Sequence, residues 1–317
     1  MKILVCGDID DAERARWRMC LEQAGPEFVW LTPDDPALDR TSVDAAVVAN
    51  PPPGSLAGCP RLRLIQSLWA GVDRLLADTT LPEGVPVARM VDPVMTIAMG
   101  ETALWAVLSL HRGYFDYQRQ QRSALWLQHA QRRADEVPVL VLGHGQMGRA
   151  VAETLARRGY PVHAWRLRAS GAAHAPGAAV TVVQGREGLT EAMRQALILI
   201  NLLPLTAQTR GLLDARFYAR LPAGASIVNL ARGGHVVEAD LLDALDAGHL
   251  HHAVLDVFQS EPLPSEHPFW THPAVTVLPH AAALTDPRSA AAVAVANLRA
   301  LRSGEPLQHV VERARGY

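Results

Sequence analysis

Residues 137–166 read VPVLVLGHGQMGRAVAETLARRGYPVHAWR, and the choice of fold rests on them. VPVLVLG is a short run of β-branched and apolar residues, the pattern of a buried strand, and YPVHAWR is a second. Between them Gly143, Gly145 and Gly148 form a GxGxxG that directly follows the first strand and opens a segment of helical periodicity. In such a βαβ unit the first glycine permits a tight turn, the second lets main chain approach a pyrophosphate, and the third lets helix and strand pack closely. The helix amino terminus adds N–H donors and the positive end of its dipole. A bare GxGxxG carries little weight; inside a complete βαβ unit it predicts a dinucleotide site, with Gln146 and Met147 beside the ligand. A purely structural glycine turn is the plainer alternative.

The same alternation extends in both directions. Towards the amino terminus KILVCG, DAAVVANP and LRLIQSL read as strands, and DDAERARWRMCLEQAG reads as a helix closed at Gly25 by a left-handed glycine. Towards the carboxy terminus ALILINLLP, ASIVNLA, HHAVLDVF and VTVLPH read as strands, with RAVAETLARRG and ADLLDALDAG as helices between strands of this second set. These strands are apolar throughout, as strands covered by helices on both faces are. MGETALWAVLSLHRGYFDY reads as one long helix between the two sets, and SAAAVAVANLRALRSG as a closing helix. ASGAAHAPGAA, the one low-complexity stretch, reads as a surface loop. The expected fold is α/β, with two doubly wound parallel-sheet domains. Residues 1–98, completed by 285–317, form a flavodoxin-like substrate domain, and residues 99–284 a Rossmann dinucleotide-binding domain.

Composition narrows the function classes. A chain of 317 residues, 49% hydrophobic and 20% charged, can bury two ordinary cores. Its net charge of −2 offers no basic footprint for nucleic acid. Cys6, Cys20 and Cys59 make neither a CxxC pair nor an even disulfide framework, which suits a reducing compartment. MKILVCGDIDD has too short an apolar run for a secretory leader, and ALILINLLPL falls well short of the roughly 18 residues a membrane span needs. A cytoplasmic protein with no membrane partner is expected.

In a unit that binds NAD an Asp or Glu closes the second strand, about 20 residues past the glycines, and holds the ribose 2′-hydroxyl. Here that stretch is HAWRLR, with no acid and with Arg166 and Arg168 where a 2′-phosphate would lie. NADPH is therefore the expected cofactor, with NADH weaker. Solvated arginines are common in a chain with almost no lysine, which is the competing reading.

Three polar residues follow strand ends, where ligands of open parallel sheets gather: Arg232 in NLARGG, Glu261 in LDVFQSEPLP and His280 in VLPHAAAL. Leu203, Pro204, Ala231 and Asp256, also at or near strand ends, are expected around the cofactor. Taken singly, His280 could cap a strand, Glu261 could be a solvated loop acid, and Arg232 could make a structural salt bridge.

In order and context these motifs resemble the D-isomer-specific 2-hydroxyacid dehydrogenases, most of all their bacterial glyoxylate/hydroxypyruvate reductase A group. The likeness runs from about residue 45 to VERARGY and includes LWAGVD, INLLPLTAQT, NLARGGHVVEADLL, LDVFQSEPLP and PHAAALT. It implies reduction of a small 2-oxo acid such as glyoxylate or hydroxypyruvate, and a homodimer built through the nucleotide-binding domain. The chemistry of that reaction suits the residues. It needs a hydride for the carbonyl carbon, a proton for its oxygen and a cation for the carboxylate. His280 can give the proton, Glu261 can orient the imidazole and raise its pKa, and Arg232 offers a planar fork for the carboxylate. The resemblance adds main-chain N–H groups at Ala70 and Gly71. Trp69 and Met95 either narrow the pocket or pack structurally, and Trp126 reads as core or dimer contact. The cluster His249, His251 and His252 lacks matching acids or thiols, so it reads as surface and no metal is expected. The alternatives are another dehydrogenase of the family, or a nucleotide-sensing protein without turnover.

Overall fold

In the computed structural model, which describes residues 1–167 and 180–316, the chain divides into Met1–Met95 with Leu284–Tyr317 and, separately, Thr96–Ala283. The first unit runs β1 (Lys2–Gly7), α1 (Asp11–Ala24), β2 (Val29–Leu31), β3 (Ala45–Ala49), β4 (Ile65–Ser67), α2 (Asp73–Leu76) and β5 (Val87–Ala88). Its sheet has the order β2-β1-β3-β4-β5, with every pair parallel. Residues 3–6 of β1 and all of β3 read as unbroken apolar runs because both faces are covered. Ile3, Val5, Ala45 and Val47 pack with Trp17 and Leu21 of α1, while Leu4, Cys6, Ala46 and Val48 pack with Leu62 and Leu75. Asp10 caps α1 by accepting the Glu13 N–H.

Gly25 ends α1, but not by the left-handed conformation expected of it: its φ is −135°. Space is the reason for glycine here. A Cβ would lie 2.9 Å from Phe28, 3.0 Å from Val295 and 3.2 Å from Trp30. The strands β2 and β5 are short, and no periodicity develops over two or three residues to announce them.

The second unit begins in a helix, α3 (Pro93–His111), and continues with α4 (Tyr114–Arg122). The single helix expected over 99–117 is thus two, divided at Gly113, whose φ of 68° ends the first. By length and composition α3 could cross a membrane, although its longest unbroken apolar run is residues 103–108; Met99, Ala103, Ala106, Val107 and Leu110 along one side of it lie in this unit's core. Next come β6 (Val139–Leu142), α5 (Gln146–Ala156), β7 (Val162–Arg166), β8 (Val180–Gln184), α6 (Gly185–Gln195) and β9 (Ile198–Asn201). They are followed by α7 (Ala215–Tyr218), β10 (Ala225–Asn229), α8 (Glu238–Asp246), β11 (Leu250–Leu255) and β12 (Val275–Val277). The chain then closes on the first unit with α9 (Pro287–Ser303), which packs Ala290, Ala294 and Leu298 into the core around Trp17.

The second sheet is parallel throughout, in the order β12-β11-β10-β9-β6-β7-β8. Strand order reverses between β6 and β9, the switch point where open α/β sheets bind ligands. The register aligns the strand ends: Leu142 pairs with Asn201, Asn201 with Asn229, Asn229 with Leu255, and Leu255 with Val277. Loops beginning at 143, 202, 230, 256 and 278 consequently leave from one edge. The expected surface loop 169–179 lies outside the described residues.

Of the three neighbouring histidines, His252 departs from the surface reading. It is buried, stacks on Phe115 at 4.2 Å and approaches Thr276 Oγ1 at 2.9 Å through Nε2. Burial, foremost, pushes its pKa down to about 3, which keeps the ring neutral. His251 is exposed and reaches Asp116, and His249 reaches the Tyr218 carbonyl. No metal-binding cluster occurs among the described residues.

Candidate active site

The glycines after β6 each answer a different constraint. Gly143 has φ 99°, and a Cβ there would stand 2.7 Å from the Leu202 carbonyl oxygen; at Gly148 it would stand 1.8 Å from that of Gly143. A Cβ on Gly145, by contrast, would meet open space. Gly145 is the N-cap of α5, and no side chain among the described residues caps that end. Main-chain N–H groups there stand free of a side-chain cap, an arrangement suited to a pyrophosphate. Gln146 is exposed beside them, and Met147 packs partly against the core. Arg166 ends β7 in register with Gln184 of β8, and Trp165 Nε1 ties the two strand ends by donating to the Gly185 carbonyl at 2.8 Å. Arg168 lies outside the described residues. Across the switch point Leu203 is buried and Pro204 exposed, while Ala231 is buried beyond β10.

Beyond β10 and β11 two loops interlock. A Cβ on Gly233 would fall 1.9 Å from the Phe258 carbonyl carbon, so only glycine lets the segment bearing Arg232 lie against the one bearing Glu261. The Arg232 guanidinium donates to the Ala231 carbonyl at 2.7 Å. Glu261 accepts the Phe258 N–H at 2.9 Å through Oε1, and its Oε2 lies 2.7 Å from His280 Nδ1.

Asp256 shapes the last loop in a way the sequence does not announce. Its buried carboxylate accepts N–H groups from Ala281 at 2.7 Å and Ala282 at 3.1 Å, and its carbonyl accepts that of His280 at 2.9 Å. These bonds hold His280 at φ 53°, a conformation that costs a non-glycine residue about 1–2 kcal/mol. Burial, foremost, raises the Asp256 pKa, opposed by those two amides.

Electrostatics link Glu261 to His280. The hydrogen bond to Glu261 raises the His280 pKa, against the opposing effects of burial and Arg232. Burial alone would favour a protonated Glu261. Its carboxyl is nevertheless held below the usual range by the bonds from His280 and Phe258 and by the charges of His280 and Arg232.

The remaining expected residues belong to the first unit. Ala70 and Gly71 follow β4, and Trp69 packs edge-on against Trp17 at 6.2 Å, its N–H bonded to Ser67 Oγ at 3.0 Å. Met95 is buried, with Thr285 Oγ1 at 3.9 Å from its sulfur.

Residues 104–282 match the family described as D-isomer specific 2-hydroxyacid dehydrogenase, NAD binding domain. The chain belongs to the D-isomer-specific 2-hydroxyacid dehydrogenases. It is accordingly an oxidoreductase that uses a nicotinamide dinucleotide. Among curated members of this dehydrogenase family, the glyoxylate/hydroxypyruvate reductase A of Salmonella heidelberg is 42% identical over 285 residues, 88% of this chain and 89% of its own. A 2-hydroxyacid dehydrogenase of Xanthobacter autotrophicus Py2, solved with NADPH and MES, superposes with a TM-score of 0.93 at 38% identity and covers 100% of this chain and 99% of its own. The NADPH-dependent glyoxylate/hydroxypyruvate reductase of Sinorhizobium meliloti, solved with NADP and sulfate, gives a TM-score of 0.90 at 32% identity, with coverage of 100% and 99%.

Proposed function

We propose that the protein is an NADPH-preferring reductase of small 2-oxo acids, converting glyoxylate to glycolate and hydroxypyruvate to glycerate. The observation that carries this reading is the 2.7 Å contact between His280 Nδ1 and Glu261 Oε2, on loops that leave the same sheet edge as Arg232. Bound NADPH supplies the hydride that reduces the carbonyl carbon. Arg232 grips the carboxylate and orients the carbonyl. His280, with Nδ1 engaged by Glu261, gives its Nε2 proton to the carbonyl oxygen and leaves as neutral imidazole beside an ionised Glu261. Arg166 and Arg168 favour the 2′-phosphate of NADPH, and the NADPH and NADP held by the Xanthobacter and Sinorhizobium relatives support that preference. In the first unit the Ala70 and Gly71 N–H groups are assigned to the substrate carboxylate and Trp69 to limiting substrate length.

The active species is a homodimer formed through the second unit. Ile97, Trp105 and Leu108 of α3 and Leu125, Trp126 and Leu127 beyond α4 are exposed, an apolar surface of the kind that a second copy covers. The buried, unpaired thiols of Cys6, Cys20 and Cys59 suit the cytoplasm. Steady-state rates with glyoxylate, hydroxypyruvate, pyruvate and phenylpyruvate, each with NADPH and NADH, test the reading. It predicts the highest kcat/KM for glyoxylate or hydroxypyruvate with NADPH. Activity confined to the larger acids, or to NADH, overturns it.

A further inference from the structure

Strands β9, and β10 after Ser226, are apolar until their last residues, Asn201 and Asn229, which are register partners and fully buried. Asn201 Nδ2 donates to Asn229 Oδ1 at 3.0 Å. Each then reaches into the loop that follows it: Asn201 Oδ1 accepts the Leu203 N–H at 3.2 Å, and Asn229 Oδ1 accepts that of Ala231 at 3.3 Å. Asn229 Nδ2 also donates to the Arg232 carbonyl at 3.0 Å. His235, likewise fully buried, has Nδ1 3.0 Å from that Arg232 carbonyl and Nε2 3.3 Å from the Pro204 carbonyl; both partners only accept, so the ring bonds to both turns when both nitrogens carry hydrogen.

Buried polar side chains are tolerated where their bonding is complete, and an apolar filling would hold two strands together at less risk. What this ring adds is a linkage between two loops. Its bonds end on the main chain of Leu203–Pro204 on one side and of Ala231–Arg232 on the other. Asn201 and Asn229 fix each loop to its own strand, whereas His235 alone touches both through one rigid ring.

We infer that His235 is a positioning residue that couples the Leu203–Pro204 turn, on the cofactor side, to the Arg232 turn that grips the substrate carboxylate. This rests on the function proposed above. Seating NADPH against the first turn then steadies the second, so that cofactor and 2-oxo acid tighten one another's binding.

The two ends of the imidazole can be tested separately. The amide nitrogen of Asn occupies the place of Nδ1 and that of Gln the place of Nε2, so His235→Asn keeps the bond to Arg232 and His235→Gln the bond to Pro204. Intrinsic tryptophan fluorescence measures the NADPH Kd with and without saturating oxalate, a dianion that cannot be reduced, and steady-state rates give the KM for glyoxylate. The expected result is a split. His235→Asn weakens NADPH alone by about three- to tenfold, the loss of one ordinary hydrogen bond, whereas His235→Gln leaves that binary Kd unchanged; both raise the glyoxylate KM at saturating NADPH, because the tightening is mutual. In both, the oxalate effect on the NADPH Kd falls towards unity. The inference is overturned if both variants weaken NADPH alike in the absence of oxalate, or if they lower the melting temperature while both constants and the oxalate effect stay at parent values. Should the parent bind NADPH but reduce no 2-oxo acid, the functional reading fails, while the NADPH and oxalate titrations still decide whether His235 couples the turns.

Discussion

Glu261 divides its carboxylate between two partners: Oε1 accepts the Phe258 N–H at 2.9 Å and Oε2 meets His280 Nδ1 at 2.7 Å. The first bond fixes the acid to its own loop, and the second fixes the plane of the imidazole. Since Nδ1 is engaged, the proton available for transfer sits on Nε2.

Replacing His280 with Asn keeps a donor of similar reach but removes the group that releases a proton. kcat for glyoxylate should fall by about two to four orders of magnitude with little change in KM, because proton transfer acts in the transition state. Turnover at the parent rate would remove His280 from the mechanism.

Glu261→Gln should alter the pH profile. Reduction requires the protonated imidazole, and Glu261 raises its pKa. In the parent, kcat/KM is therefore full below that raised value and declines as pH rises through it. Without the carboxylate the decline should begin at lower pH. A profile of kcat/KM between pH 5 and 10 that superposes on the parent's would separate the two residues.

Arg232→Lys keeps the charge and loses the fork. Two parallel bonds to a carboxylate become one, so kcat/KM for glyoxylate should fall by about 10- to 100-fold, the worth of one charge-assisted hydrogen bond. Equal kinetics in parent and variant would put the clamp elsewhere.

Cofactor choice depends on the end of β7. Arg166→Ala should reduce the ratio of kcat/KM for NADPH over NADH by about one to two orders of magnitude at low salt, and by less as ionic strength rises. A ratio unaffected in both Arg166→Ala and the double variant with Arg168→Ala would mark these side chains as solvated surface.

Trp126 is 94% exposed between two exposed leucines. Trp126→Asp, combined with Leu127→Asp, should convert a dimer to monomer in light scattering while the thermal transition of the chain persists. A parent that is already monomeric at micromolar concentration contradicts the proposed dimer.

The sequence was most legible where geometry leaves a residue no alternative. Gly143 and Gly148 are required by positive φ and close main-chain approach, and the same needs make GxGxxG readable. Legibility fell where structure depends on partners distant in sequence. The edge strand β8, VTVVQ, is half-exposed and adjoins a low-complexity stretch, so no long apolar run marks it. Gly113 divides α3 from α4, although apolar residues continue on both sides of it. His252 reads as surface until Phe115, 137 positions earlier, is seen stacked on it. Within the candidate site, the pairing of Glu261 with His280 was foreseeable from order and chemistry. The hold of Asp256 on Ala281 and Ala282 was not, because a strand-end acid serves a cofactor as readily as it serves a neighbouring loop. A usable signal lies in ILIN and SIVN, each of which closes a buried strand with Asn.

Gly233 and Gly145 answer to different authorities. At 233 the chain itself forbids a side chain, since a methyl group would occupy the main chain of Phe258. At 145 nothing among the described residues objects, and the methyl group would project into space meant for a guest. Randomising the two codons and sorting first for soluble expression, then for retention on immobilised nucleotide, would therefore empty position 233 at the first gate and position 145 only at the second. Two glycines that look alike on the page would be revealed as one requirement of folding and one of occupancy.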